Sequence, residues 1–235
     1  MENDKIQEVI KYYTEDIENK FALESFLSQV EVFFLKNPIL NSKDFPIVHS
    51  VKSRFKDPEH LRDKLIRKAQ KECVIDKNNF LKEINDLIGV RVLHLYQDQF
   101  PSIHHEIFKK VTVMGDWAFV KEPKAYTWDP ESQQLYEELG ILTEVRDTYY
   151  TSVHYIVKPN NNKNPVCCEI QVRTLFEEIW GEIDHSINYP HETESIACKE
   201  QLRVLSKLVS TGTRLIDSIF RSFNEYNETK CISHK

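Results

Sequence analysis

The chain has 235 residues, 40% of them hydrophobic and 29% charged, enough to bury the core of one large domain or two small ones. Only five glycines and long charged stretches point to a helix-rich α+β or α/β fold and count against an all-β sandwich. A formal charge of -6 provides no overall basic field, which argues against duplex nucleic acid gripped through many phosphates as the main ligand.

Residues 4–36 carry Ile6, Val9, Ile10, Tyr13, Phe26, Val30 and Phe34 near helical spacing, and the pattern breaks at Asn37-Pro38, so one or two amphipathic helices open the chain. Residues 47–55 read as a short strand, and Pro58 in the favoured first helical position starts a helix to about Lys71. This strand-to-helix junction is basic from Lys52 to Lys71, against only Asp57, Glu59 and Asp63. It is either a solvated helix face or a local anion site. Residues 84–96 are rich in aliphatic side chains and predict a central strand, followed by a helix over about 101–110.

Residues 111–140 are the least legible. Trp117, Tyr126, Trp128 and Pro130 are scattered among charges, which predicts a mobile or binding loop with a helix at 130–139. Residues 142–145, 151–158 and 166–173 then predict strands, the last two joined by the turn Pro159-Asn160-Asn161-Asn162-Lys163-Asn164-Pro165. Helices follow over 175–187 and about 195–226. The apolar stripe of the second, from Leu202 to Phe220, is expected to face the core, with self-association through it left open.

The five cysteines (Cys73, Cys167, Cys168, Cys198 and Cys231) are odd in number and lack CxxC spacing, as expected of reduced thiols in a cytoplasmic protein. No apolar run approaches the roughly 20 residues a bilayer span requires, so no membrane partner is expected.

Glu169-Ile170-Gln171-Val172-Arg173 alternates strictly, so on a strand Glu169, Gln171 and Arg173 share one face while Ile170 and Val172 enter the core. Spacing alone makes that polar face a solvated surface or a site. Asp86 stands at the mouth of an apolar strand, where an unpaired carboxylate would be costly, so it must cap, pair or bind metal. Asp86 and Glu169 brought together would suit Mg²⁺, which takes a few hard oxygens and completes its shell from water and phosphate. Tyr150, Ser152 and His154 share a face if their strand begins early, placing a ring where it can stack a base and an imidazole where it can reach a phosphate or hydroxyl. His104-His105-Glu106 and His191-Glu192 lack metal-ligand spacing and read as surface.

Four segments in chain order resemble the RelA/SpoT synthetase family. They are Ser53-Arg54-Phe55-Lys56-Asp57-Pro58 with Lys64 beyond; Asp86-Leu87-Ile88-Gly89-Val90-Arg91; Tyr150-Thr151-Ser152-Val153-His154-Tyr155; and Glu169-Ile170-Gln171-Val172-Arg173-Thr174 followed by Trp180, Glu182 and His185. The resemblance implies an α+β, nucleotidyltransferase-like fold: one mixed sheet flanked by helices, with helices over 1–45, a catalytic core over 46–190 and helices over 191–235. It implies transfer of the β,γ-pyrophosphate of ATP to the 3′-hydroxyl of GDP or GTP, with Mg²⁺ as cofactor and AMP released. By the same resemblance Arg54 stacks on adenine, and Lys56, Lys64 and Arg91 hold the ATP phosphates. Asp86 is the principal Mg²⁺ ligand, and Glu169 assists the metal and serves as general base. Tyr150 stacks the acceptor base, and His154, Gln171 and Arg173 contact acceptor or phosphates. Trp180, Glu182 and His185 are given a structural role. No hydrolase pattern precedes the synthetase segments.

The chain departs from the family pattern at Tyr149, where Gly is common, at Thr151, where a basic residue is common, and at Glu178, where small synthetases carry an Asn that helps read guanine. Glu178 can accept from the guanine N1 and N2 protons, or it can mark another acceptor. An adenosine nucleotide or a tRNA end therefore stays open, as does a silent nucleotide-binding module of the same fold.

Overall fold

A computed structural model describes residues 2–70, 75–161, 166–189 and 191–233. Two helices open it, α1 (Glu2–Glu15) and α2 (Ile17–Lys36), the second capped by Asp16 accepting from Asn19 N and ended at Asn37. Strand β1 (Ser50–Phe55) leads through Asp57, which caps two backbone amides, into α3 (Pro58–Ala69). The short helix α4 (Phe80–Glu83) precedes β2 (Ile88–His94), and α5 (Phe100–Thr112) follows it. Then come β3 (Trp117–Thr127), α6 (Pro130–Glu138), β4 (Leu142–Val145), β5 (Ser152–Pro159) and β6 (Cys168–Thr174), and finally α7 (Leu175–Asn188) and α8 (Ile196–Ser233).

The six strands form one mixed sheet in the order β1-β2-β6-β5-β3-β4, with β2/β6 and β3/β4 parallel and the other neighbours antiparallel. Alternation gives the sheet two unlike faces. Val90, Val92, Ile170, Val172, Val153, Tyr155 and Ala125 are buried in one core with Val9, Leu23, Phe26, Val30 and Phe34 of the opening helices and Ile103 and Ile107 of α5. The opposite face carries the polar members of each strand and is partly covered by α7, which lies against β2 and β6.

The expected strand over 166–173 is β6, paired antiparallel to β5 as the predicted turn requires, although residues 162–165 of that turn lie outside the described residues. The expected loop over 111–140 is overturned: residues 117–127 form the eleven-residue β3, inside the sheet. Its register shifts between Phe119 and Lys121 and again between Lys121 and Lys124, and Pro123 removes one amide, so the period-two signal is broken although the strand is not. The surface expectation is overturned for His104 and Glu106, both buried. His104 Nδ1 lies 2.8 Å from the Tyr155 hydroxyl, and Glu106 accepts from Asn37 Nδ2 at 2.7 Å. The α8 stripe is only half in the core: Leu202 and Val209 are buried, whereas Leu208, Leu215 and Ile219 are exposed. Cys168 and Cys198 are reduced thiols, while the expectations for Lys71, Cys73 and the Cys231 side chain fall outside the described residues.

Tyr13 of α1 is buried, and its hydroxyl donates to Lys56 O at 2.8 Å and sits 3.3 Å from Leu87 O. Lys56 N donates to the same Leu87 carbonyl at 2.8 Å, so one phenol and one amide tie the end of β1 to the approach to β2. Removing the hydroxyl leaves buried acceptors short of a donor, which costs about 1 kcal/mol. Tyr13→Phe should therefore lower the urea midpoint without changing the slope; an unmoved midpoint would assign the tie no role in stability.

Candidate active site

The polar face of the sheet aligns side chains from four strands. Lys52 of β1 pairs with Arg91 of β2, Arg91 with Gln171 of β6, and Gln171 with His154 of β5. The next row is Arg54, Gly89, Glu169 and Ile156. Arg54 lies over Gly89, where a Cβ would make only ordinary contacts, with Glu169 O at 3.5 Å and Arg54 Nε at 3.8 Å. The cleft divides into a hollow lined by Lys52, Arg54, Arg91, Glu169, Gln171 and Glu182, and a neighbouring one lined by Tyr126, Arg146, Thr148, Tyr150 and His154.

Asp86 lies in the turn before β2, two residues ahead of Ile88, so its five-residue separation from Arg91 conflicts with no strand geometry. Lys56 and Lys64 place their ammonium groups 3.0 and 2.8 Å from Asp86 Oδ2. Burial pushes the Asp86 carboxyl up, but the two lysines outweigh it and hold the group below its ordinary value. Its other oxygen, Oδ1, is buried with no hydrogen-bond partner among the described residues. An orphaned carboxylate oxygen beside a second acid is the donor set a hard divalent cation takes, with remaining positions left to phosphate and water. Among the described residues no three His, Cys, Asp or Glu side chains cluster for a metal, so the protein's share would be those two carboxylates.

The second acid is Glu169. His154 Nδ1 lies 3.2 Å from its Oε1, and Gln171 Nε2 donates to its Oε2 at 2.8 Å. Burial and the Asp86 charge raise its pKa, yet His154 and Gln171 prevail and the carboxyl stays below its ordinary value, ionised at neutral pH. The Asp86 charge is thus felt at Glu169. His154 Nε2 lies 3.0 Å from the Tyr150 hydroxyl, and the imidazole stands edge-on to the Tyr126 ring at 4.9 Å. Arg146 lies over the other part of that ring at 4.6 Å. Tyr126 and Arg146 were not among the predicted site residues, because the bulged β3 concealed the first and a loop carries the second.

Glu178 departs most from expectation. It is 3% exposed on α7: Lys52 and Arg91 donate to its Oε1 at 2.9 and 2.8 Å, and Arg173 pairs with its Oε2. Burial raises its carboxyl, but Arg173, Lys52 and Arg91 overcome this and bring it down to about 2. Arg173, expected on an open polar face, is itself 4% exposed, its guanidinium 5.8 Å from the Tyr150 ring. Glu182 holds Arg91 at 2.5 Å instead of pairing locally with His185, whose ring stacks on Tyr189. Trp180 keeps its expected structural role, donating from Nε1 to Leu202 O at 3.0 Å and so tying α7 to α8. Thr151 is buried and shares a 3.0 Å hydroxyl contact with Thr127, while Tyr149 has φ +60°, the left-handed backbone that a glycine would adopt without strain. A separate cavity lies beyond α7, between α6 and α8, walled by Trp128, Tyr149, Asp129 and Arg214; none of the predicted site residues lines it.

The profile described as a region found in RelA / SpoT proteins matches residues 53–194, so the chain belongs to the RelA/SpoT family. It is 27% identical over 173 residues to the GTP pyrophosphokinase YwaC of Bacillus subtilis (strain 168), covering 72% of this chain and 71% of that protein. Its fold matches the small alarmone synthetase 1 of Bacillus subtilis with a TM-score of 0.68 at 20% identity, over 90% of this chain and 100% of that one. The structure of that synthetase bound to its product pppGpp matches with a TM-score of 0.62 at 18% identity, over 87% and 95% of the two chains.

The turn from β6 into α7 is a capping box. Thr174 accepts from Glu177 N at 3.2 Å and the Glu177 carboxylate accepts from Thr174 N at 2.8 Å. Burial pushes Glu177 up to about 7. Because folding raises this pKa, the stabilising contribution is fully present below the ordinary value of 4.5 and is lost as pH rises through about 7. Glu177→Gln keeps the box without an ionisable group, so the thermal midpoint should fall less between about pH 5 and about pH 8 than in the unaltered chain. Parallel declines would place the pH dependence elsewhere.

Proposed function

We propose that this chain is a pyrophosphokinase that transfers the β,γ-pyrophosphate of ATP to the ribose 3′-hydroxyl of GDP or GTP, forming a guanosine alarmone and releasing AMP. The observation that carries the reading is the buried Glu169, which lines the cationic hollow and is bonded to His154 of the aromatic one, together with Asp86, whose orphaned oxygen lies on a carboxylate held by Lys56 and Lys64. Arg54 is exposed at the rim, free to stack on adenine, and Lys56, Lys64 and Arg91 are close enough to neutralise phosphates. Phosphoryl-type transfer depends on positioning and charge neutralisation, which this set of side chains provides. Asp86 and Glu169 would hold Mg²⁺; when bound, the ion neutralises charge developing on the phosphates. Glu169, joined to His154, faces the acceptor side and serves as the base for the acceptor hydroxyl, which Tyr150 positions by stacking the base. The likeness to proteins named GTP pyrophosphokinase and to a synthetase solved with pppGpp supports a guanine nucleotide as acceptor. The helices before residue 46 and after residue 190 belong with the core to one synthetase unit.

The direct test is incubation with γ-labelled ATP, Mg²⁺ and each of GDP, GTP, GMP, ADP and tRNA. Label is expected on GDP or GTP with stoichiometric AMP; label on ADP or tRNA alone would replace the acceptor, and no transfer with no AMP would remove the enzymatic reading. Asp86→Asn should lower kcat by about 10²-fold or more, as loss of a transition-state charge contact does. Arg54→Ala should raise the KM for ATP about tenfold, the scale of one cation–π contact, with a smaller change in kcat.

A further inference from the structure

Arg173 reaches α7 where the helix offers two things. One turn along, Glu178 supplies the carboxylate that pairs with Arg173 Nη2. At Gly181 the helix has no side chain, and a Cβ built there would stand 2.6 Å from Arg173 Nη1 and 3.4 Å from its Cζ. The guanidinium therefore lies against bare helix, in space that any larger residue would take. From this seat its Cζ is 5.8 Å from the Tyr150 ring, within cation–π range. Oε1 of Glu178 accepts from Lys52 and Arg91, and Oε2 is ion-paired with Arg173 and buried without a directed hydrogen bond, so with the residue 3% exposed neither oxygen is turned to a base in the cleft.

We propose that Glu178 and Gly181 are positioning residues that seat Arg173 beneath Tyr150, so that the acceptor platform is set from its buried side and not by contact of Glu178 with the acceptor base. The inference rests on the pyrophosphokinase reading. It gives the two residues separable effects. The three atoms nearest a Cβ at Gly181 all belong to Arg173, whereas the Glu178 carboxylate also fixes Lys52 and Arg91 on the donor side.

The test is steady-state kinetics on three variants. Gly181→Ala should raise the acceptor KM about tenfold or more while the ATP KM stays within about twofold. Arg173→Lys, which needs no added space, should give the same split, and combining it with Gly181→Ala should add little, since both act on one contact. Glu178→Gln should raise both Michaelis constants and weaken GDP, GTP and ADP alike. An unmoved acceptor KM in Gly181→Ala, additive effects in the double variant, or a Glu178→Gln enzyme with altered preference among acceptor bases would each overturn the proposal. No turnover by the unaltered chain would remove the pyrophosphokinase reading and this inference together; turnover without the KM split removes this inference alone.

Discussion

The site is organised around one buried carboxylate. Glu178 draws Lys52 from β1, Arg91 from β2 and Arg173 from β6 to a single point on α7. Charges so far from water persist only when paired, and here the pairing is geometric as well as electrostatic, since each cation arrives from a different strand. With Glu182 also on Arg91, three positive charges face two negative ones. Lys56 and Lys64 against Asp86 leave a second surplus of one, Arg54 adds another at the rim, and ionised Glu169 takes one away. A chain of net charge -6 thus presents a locally positive cleft, which concentrates polyphosphate without a basic protein to do so.

Sheet register fixes where those charges sit. Parallel pairing of β2 and β6 sets Gly89 beside Glu169 and Arg91 beside Gln171, while antiparallel pairing of β6 and β5 sets Gln171 beside His154. A slip of one residue in either pair would turn every one of these groups into the aliphatic core. The apolar partners Val90, Val92, Ile170 and Val172, all at most 1% exposed, hold the register, so the core face specifies the chemistry of the other face. Tyr13 adds a restraint from a different layer, because its hydroxyl meets the backbone that carries Lys56 and the carbonyl following Asp86.

Regular alternation made β6 legible in the sequence, since Glu-Ile-Gln-Val-Arg keeps period two without a bulge, and the acids Asp86 and Glu169 were recognisable by residue type and order. Strand β3 was not, because two register shifts and Pro123 erase the period that identifies a strand, and Tyr126 was lost with it. The polar face of β6 looked solvated because nothing in a strand's own residues announces the helix that covers it. That cover is α7, and it converts Arg173 from a surface cation into one that is 4% exposed. Partners separated by 87 and 126 residues, such as Arg91 or Lys52 with Glu178, leave no local pattern at all. At Tyr149 the sequence showed a departure from glycine, and the structure shows that the backbone it occupies is the one a glycine would favour.

Adjacent acids in α7 show how little residue type decides once the fold is set. Glu177 and Glu178 differ by about 100° around the helix axis. One turns toward the cap at Thr174, where only backbone and hydroxyl groups meet it, and burial lifts it to about 7. The other turns toward three cations, which bring it to about 2 against its own desolvation. The cap fixes where the helix begins, and this start gives Glu178 its angle toward Arg173. Thr174, the last residue of β6 and the cap of α7, therefore couples the alternation of the strand to the periodicity of the helix. A one-residue shift of that start would turn Glu178 about 100° around the axis, away from Arg91 and Arg173.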